Sequence, residues 1–114
     1  MSAPALAPVA SRSVRVVVVG GPLRGAMRLA GEAELGGVTL EWHDGDTAGT
    51  GVRSLRSLIR RADLVVITTD VNSHRGVEVA KQEARRAGRA YTLVRSVSGS
   101  RVRDMLAAMS PAAA

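Results

Sequence analysis

The residues of this chain that could do chemistry fall into four short clusters. They are Gly20-Gly21 with Arg24, His43-Asp44-Gly45-Asp46, Thr69-Asp70-Val71-Asn72-Ser73-His74, and Arg95-Ser96-Val97-Ser98-Gly99-Ser100. Glycines let a backbone approach an anion closely, and the N–H groups at a helix start favour negative charge, so Gly20 and Gly21 are candidate anion contacts. The structural alternative is a tight strand-to-helix turn with no ligand. Gly20 to Gly25 has the outer spacing of a phosphate-binding loop, but Ala26-Met27 stands where Lys-[Ser/Thr] is required, and the dinucleotide fingerprint G-x-G-x-x-G is absent.

The other clusters offer donors and bases. Ser73 suits a helix N-cap, and His74 in the first turn is disfavoured as a cation there, leaving a neutral imidazole able to donate, accept or act as a base. Asp70 and His74 are the candidate catalytic pair, although a capping Ser followed by an exposed His is the plainer reading. Arg95, with Ser96 and Ser98, could clamp a phosphate or carboxylate through its planar fork of donors. The plainer role for that segment is capping, with Ser98 or Ser100 as N-cap of the last helix. His43 and Asp44 are candidate ligand contacts. With Asp46, Asp70 and His74 they could also hold a divalent metal, but the spacing matches no metal motif, so loop capping is the better reading and no metal is assigned.

The elements around these clusters follow from hydrophobic periodicity. Val14-Arg15-Val16-Val17-Val18-Val19, ending at Gly20-Gly21, is a nearly continuous β-branched run and reads as a strand buried on both faces. Val38–Trp42, Leu64–Thr68 and Ala90–Val94 read as three more strands. Between them run helical patterns. The first starts at Pro22 and offers Leu23, Met27 and Leu35 as its apolar face. The second repeats Val52, Leu55, Leu58, Ile59 and Ala62, with Arg53, Arg56, Arg60 and Arg61 outside. The third runs from Ser73 to about Ala87, with Val77, Ala80, Ala84 and Ala87 inward and Gly88 as its stop. The last buries Val102, Met105, Leu106 and Met109.

This alternation predicts an α/β fold: a four-stranded parallel sheet of order 2-1-3-4 with helices on both faces, half-Rossmann or flavodoxin-like. Ligands of such sheets bind beyond the carboxyl ends of the strands, and all four clusters are placed there. The opposite edge is plainer, with Gly36-Gly37, Arg61-Ala62-Asp63 and Gly88-Arg89.

Bulk properties narrow the function. At 114 residues the chain holds one domain, expected over 14–109, with a disordered Ala- and Pro-rich tail at 1–13 and a short tail at 110–114. The net charge is +6, and Lys81 is the single lysine among 16 basic residues. That balance favours a phosphate-bearing partner, or else reflects a solvated arginine surface. With no Phe, one Trp and one Tyr, the chain lacks the stacking platforms of single-strand nucleic-acid readers. The absence of cysteine excludes disulfides, zinc knuckles and thiol catalysis. No run reaches ~18 apolar residues, so no membrane span and a cytoplasmic location are expected.

The order of these elements resembles the bacterial family called domain of unknown function 2325. The resemblance lies in the Val-rich strand ending in Gly20-Gly21, His43-Asp44-Gly45, Ala62-Asp63-Leu64-Val65-Val66, Ser73-His74 with Lys81, and Arg95-Ser96. It spans roughly Val14 to Met109, and departs from the family pattern at Pro22-Leu23 ahead of Arg24. It implies the same fold and the same loops, and brings no activity with it.

The reading expected first is therefore a binding module for an anionic, nucleotide-like small molecule, without catalysis or with weak catalysis. A hydrolase or phosphoryl-transfer enzyme using Asp70 and His74 is the second reading. A nucleic-acid or protein adaptor using Arg53, Arg56 and Arg60 is the third. A homodimer is expected because an open sheet has exposed edges.

Overall fold

Valine-rich segments at the centre of the chain's alternating pattern build the sheet. The structure, a computed structural model, describes residues 14–111, so the expected tail at 1–13 and residues 112–114 lie outside the described residues. The element order is β1 (Val14–Val19), α1 (Leu23–Leu35), β2 (Val38–His43), α2 (Gly51–Arg60), β3 (Leu64–Thr68), α3 (His74–Arg86), β4 (Ala90–Val94) and α4 (Ser100–Met109). The strands form one parallel sheet of order β2-β1-β3-β4, as expected. Val14 pairs with Val38, Val16 with Leu64, and Leu64 with Ala90.

Side chains alternate across a strand, so the sheet feeds two cores. Val16 and Val18 face one, with Leu29 and Ala33 of α1 and Val102 and Leu106 of α4. Val17 and Val19 face the other, with Leu55 and Ile59 of α2 and Val79, Ala80 and Ala84 of α3. Right-handed crossovers explain the partition: β1 to β2 steps one way along the sheet, whereas β2 to β3 and β3 to β4 step the other way. Among the described residues no helix is long and apolar enough to cross a membrane.

Helix α1 is rotated from its expected face, whereas α3 keeps Ala80 and Ala84 inward as expected. On α1 the buried residues are Ala26, Leu29 and Ala33, while Leu23, Met27 and Leu35 are 53%, 65% and 91% exposed. The two stripes lie about a third of a turn apart. The small alanines let α1 lie close against the sheet, which the bulkier stripe would hold off. On α3 the buried set is Gly76, Val79, Ala80, Glu83 and Ala84, and Val77 is only half-buried. The expected C-terminal tail also packs: the Ser110 hydroxyl donates to the Gly36 carbonyl, and Pro111 lies against Gly37.

Ion pairs tie the helices together on each face. Arg103 of α4 donates to both carboxylate oxygens of Glu32 on α1, at 2.7 and 3.2 Å. Those hydrogen bonds hold the Glu32 carboxyl below the ordinary carboxylate range, with the nearby charges of Arg103 and Arg28 adding to the effect. On the other face Glu83 is a buried carboxylate, 2% exposed, with Arg60 at 2.9 Å, Arg56 at 3.6 Å and Arg86 at 3.9 Å. Two members of the Arg53–Arg56–Arg60 stripe are therefore engaged with a buried partner and are not a free basic face.

Replacing Arg60 with Ala is expected to lower unfolding free energy by about 1.5 kcal/mol, the scale of one charge-assisted hydrogen bond. Replacing Arg56 as well, so that Glu83 keeps only Arg86, is expected to cost about 3 kcal/mol in all. Urea denaturation measures both. The Glu32 tie is fully present above the ordinary carboxylate pKa and is lost as pH falls through its lowered value. Carboxyl NMR titration should accordingly show the Glu32 midpoint rising in Arg103→Ala.

Candidate functional site

Four loops meet at the carboxyl edge of the sheet, and backbone hydrogen bonds stitch them together. Gly20 and Gly21 close β1 with φ of +92° and +88°, a region L-residues with a Cβ avoid. Their amides are spent inside the protein: Gly20 N–H donates to the His43 carbonyl and Gly21 N–H to the Val71 carbonyl, each at 2.7 Å. The Trp42 indole N–H donates to the Gly20 carbonyl at 3.0 Å. A Cβ at Gly20 would overlap the Thr68 hydroxyl and sit 2.6 Å from the Asn72 amide nitrogen. The turn has a structural duty, and these two amides do not face outward to an anion.

Asn72 lies beneath all of this. Its side-chain amide donates to the carbonyls of Thr68 at 2.8 Å and Val19 at 3.3 Å, the ends of the two central strands. Both partners are acceptors, so the amide orientation is settled. Its carbonyl oxygen is buried without a hydrogen-bond donor. That oxygen occupies the space where Gly45 would otherwise carry a Cβ, and with the Gly45 carbonyl and the Ser73 hydroxyl it crowds the same position at Gly76. The Thr68 hydroxyl reaches the Asp70 carbonyl at 2.9 Å and the Val19 carbonyl at 3.2 Å. Between these anchors Val71 is held at φ +47°, a conformation a β-branched residue rarely adopts. Thr68 and Trp42 were read only as strand residues, and Asn72 only as part of the loop after β3, with no role assigned to it. The signal for Asn72 was Gly76, a glycine in the first turn of a helix, where it weakens the helix unless something approaches closely.

His43 is buried, and both its ring nitrogens are engaged. Gly45 N–H donates to Nδ1 at 2.9 Å, so the ring proton sits on Nε2, which donates to the Gly51 carbonyl at 3.0 Å. The imidazole closes its own loop. Asp44 accepts from Asp46 N–H at 2.8 Å and Asp46 from Ala48 N–H at 2.9 Å, so both carboxylates brace turns. Among the described residues no group of three or more His, Asp or Glu side chains is placed to hold a metal ion.

Ser73 caps α3: its hydroxyl accepts from Gly76 N–H at 2.8 Å and donates to the Gly45 carbonyl at 2.7 Å. Neither Ser98 nor Ser100 caps α4. The N-cap is Gly99, Ser100 is the first helical residue, and Ser96 bonds the amide and hydroxyl of Ser98. The intervening Val97 is buried and packs beneath Gly21 and Gly25, which pulls the serines away from the cap position. The Arg95 carbonyl accepts from Asp70 N–H at 2.9 Å, joining the last two loops.

Among the exposed side chains at this edge are Arg24, Asp70, His74 and Arg95. No side-chain hydrogen bond or ion pair joins any of these four to another described residue, so Asp70 and His74 are not paired. Arg24 lies on the outer flank of α1. Unforeseen in sequence was the charge at the helix starts. None of the four helices has an acidic residue in its first turn, and α1, α2 and α4 have no side-chain cap. Instead Arg24, Arg53, Arg75 and Arg101 occupy those first turns, all at this one edge of the sheet. Two open grooves lie elsewhere, about 430 Å³ between α1 and α4 and about 520 Å³ between α1 and β2.

The family model for the domain of unknown function 2325, described as an uncharacterized protein conserved in bacteria, matches residues 15–109. The chain belongs to this family. The matched span includes all four loops of the carboxyl edge. No curated protein matches the chain, and no solved structure does.

Val71→Asn keeps a side chain that tolerates the left-handed region and is expected to raise stability by about 1 kcal/mol. Gly45→Ala combines a positive φ with overlap of the Asn72 oxygen and is expected to lower it by about 3 kcal/mol. Denaturant midpoints at constant slope would establish both, and an unchanged midpoint for Gly45→Ala would remove Asn72 from its role.

Proposed function

We propose that this family member is a binding module for an anionic, phosphate-bearing and nucleotide-like small molecule, held on the open carboxyl edge of the sheet. The observation that carries this reading is the arginine in the first turn of every helix, with no acid beside it. A cation at a helix N-terminus opposes the macrodipole by roughly 0.3–1 kcal/mol. Four of them add up to about 1–4 kcal/mol of unfavourable placement. No ion pair relieves Arg53, Arg75 or Arg101 among the described residues. A bound anion would reverse the sign of that term.

The residues assigned to the ligand are His74, Arg75, Arg95 and Arg101. The amides of His74 and Arg75 lie at the start of α3, whose N-cap Ser73 already serves Gly76. Arg95 offers a planar fork, and Ser96 and Ser98 sit beside it. Gly20, Gly21, His43, Asp44 and Ser73 form the frame underneath. Binding without turnover is the reading, because Asp70 and His74 form no acid–base pair. A cytoplasmic setting goes with it, since nucleotides abound there.

Thermal-shift and calorimetric titrations with ATP, GTP, AMP and pyrophosphate, against adenosine as the phosphate-free probe, test this. Phosphate-bearing compounds are expected to raise Tm and adenosine is not. Arg95→Ala and Arg101→Ala should each weaken binding by about tenfold, as for loss of one charge-assisted contact, with folding intact because both side chains are exposed. No shift with any phosphate compound, or equal affinity in both variants, would overturn the proposal.

A further inference from the structure

We propose that a second copy of this chain packs on the outer face of α1, the two α1 helices running antiparallel about a two-fold axis level with Leu29. Three of the exposed large apolar residues, Leu23, Met27 and Leu35, lie on this one helix. They share a face with Arg24, Gly31 and Glu34 by helical spacing, turned away from the buried Ala26, Leu29 and Ala33. Contiguous apolar surface of this kind on a small protein marks an interaction site.

Gly31 supplies an independent reason. A glycine in a helix interior weakens the helix, and one kept there commonly admits a close neighbour. Among the described residues nothing lies within 4 Å of where a Cβ at Gly31 would stand, so none of them makes use of that space. The open groove of about 520 Å³ between Met27, Ala30, Gly31 and Glu34 of α1 and the start of β2 adjoins it.

The face is complementary to itself, as a two-fold interface must be. Antiparallel pairing sets Met27 against the partner's Gly31, a large side chain against an empty position. It sets Leu23 against the partner's Leu35. It also sets Arg24 against the partner's Glu34, and each of these two charges lacks an ion-pair partner among the described residues of its own chain. Every contact occurs twice.

The sheet edges fit a second copy less well. Antiparallel pairing of β4 with itself about Thr92 would bring Arg89 opposite the partner's Arg95, like charges in register. On β2, Glu41 is already taken by Arg15 at 3.2 Å and Arg61 at 3.6 Å.

Sedimentation equilibrium of the full chain tests the proposal. A dimer is expected. Met27→Lys should weaken it by about a hundredfold, the scale of burying an unpaired charge in an apolar contact, with an unchanged circular dichroism spectrum. Arg24→Glu and Glu34→Arg should each weaken it by about tenfold, and the double variant carrying both should recover the original association. A monomer throughout the concentration range overturns the proposal. So does a dimer indifferent to Met27→Lys, and so does a double variant no tighter than the single ones.

Discussion

The carboxyl edge of this protein hangs on one side chain, the carboxamide of Asn72. Its two N–H groups bind the last carbonyls of β1 and β3, where the two central strands run out of partners. Its oxygen fills the space left at Gly45 and, beside the Gly45 carbonyl, helps to crowd Gly76 from another segment. Buried strand-end carbonyls must find donors, and the turn after β1 has none left because Gly20 and Gly21 donate elsewhere. Asn72 supplies them from across the switch point. The consequences spread outward: Val71 is held in a strained conformation, Gly21 takes its carbonyl, and Ser73 is set to cap α3. The edge is stiff beneath and open above.

That division changes what the polar residues mean. His43, Asp44, Asp46 and Ser73 take part in building loops; both ring nitrogens of His43 and the hydroxyl of Ser73 are engaged, and one oxygen of each Asp accepts a loop amide. The side chains left over at this edge are chiefly cations. Helices that begin with arginine and no acid are electrostatically misfit in isolation. The same residues make a surface suited to negative charge, and the rigid frame beneath keeps the helix starts in fixed relation. The other faces contrast with this. Arg56, Arg60 and Arg86 close on Glu83, and Arg103 closes on Glu32, so those arginines have carboxylate partners within the fold.

The helix α1 shows how small residues decide orientation. Ala26 and Ala33 turn inward because they let the helix approach the sheet, and the bulkier Leu23, Met27 and Leu35 are left outside. A helix with apolar residues on two faces has one more face than its own domain can bury. Its outward face is where the molecule has unsatisfied apolar surface, beginning at Leu23 and Arg24 beside the basic edge and running away from it.

The strands, their parallel order and the edge that carries the polar loops were legible in the sequence. β-branched runs closed by glycine need only local periodicity to be read, and short crossovers of one hand leave few topologies open. The family pattern spans the same elements. Rotation of α1 was not legible, since it carries two apolar stripes and the choice depends on what the sheet offers opposite. Nor was the fate of His43, because a histidine beside two aspartates looks the same whether its nitrogens face solvent or the amide of Gly45 and the carbonyl of Gly51. Composition and spacing determined which residues stand at this edge. Tertiary structure alone decided which of them are free, because a hydrogen bond is spent or unspent according to a partner that arrives from elsewhere in the chain.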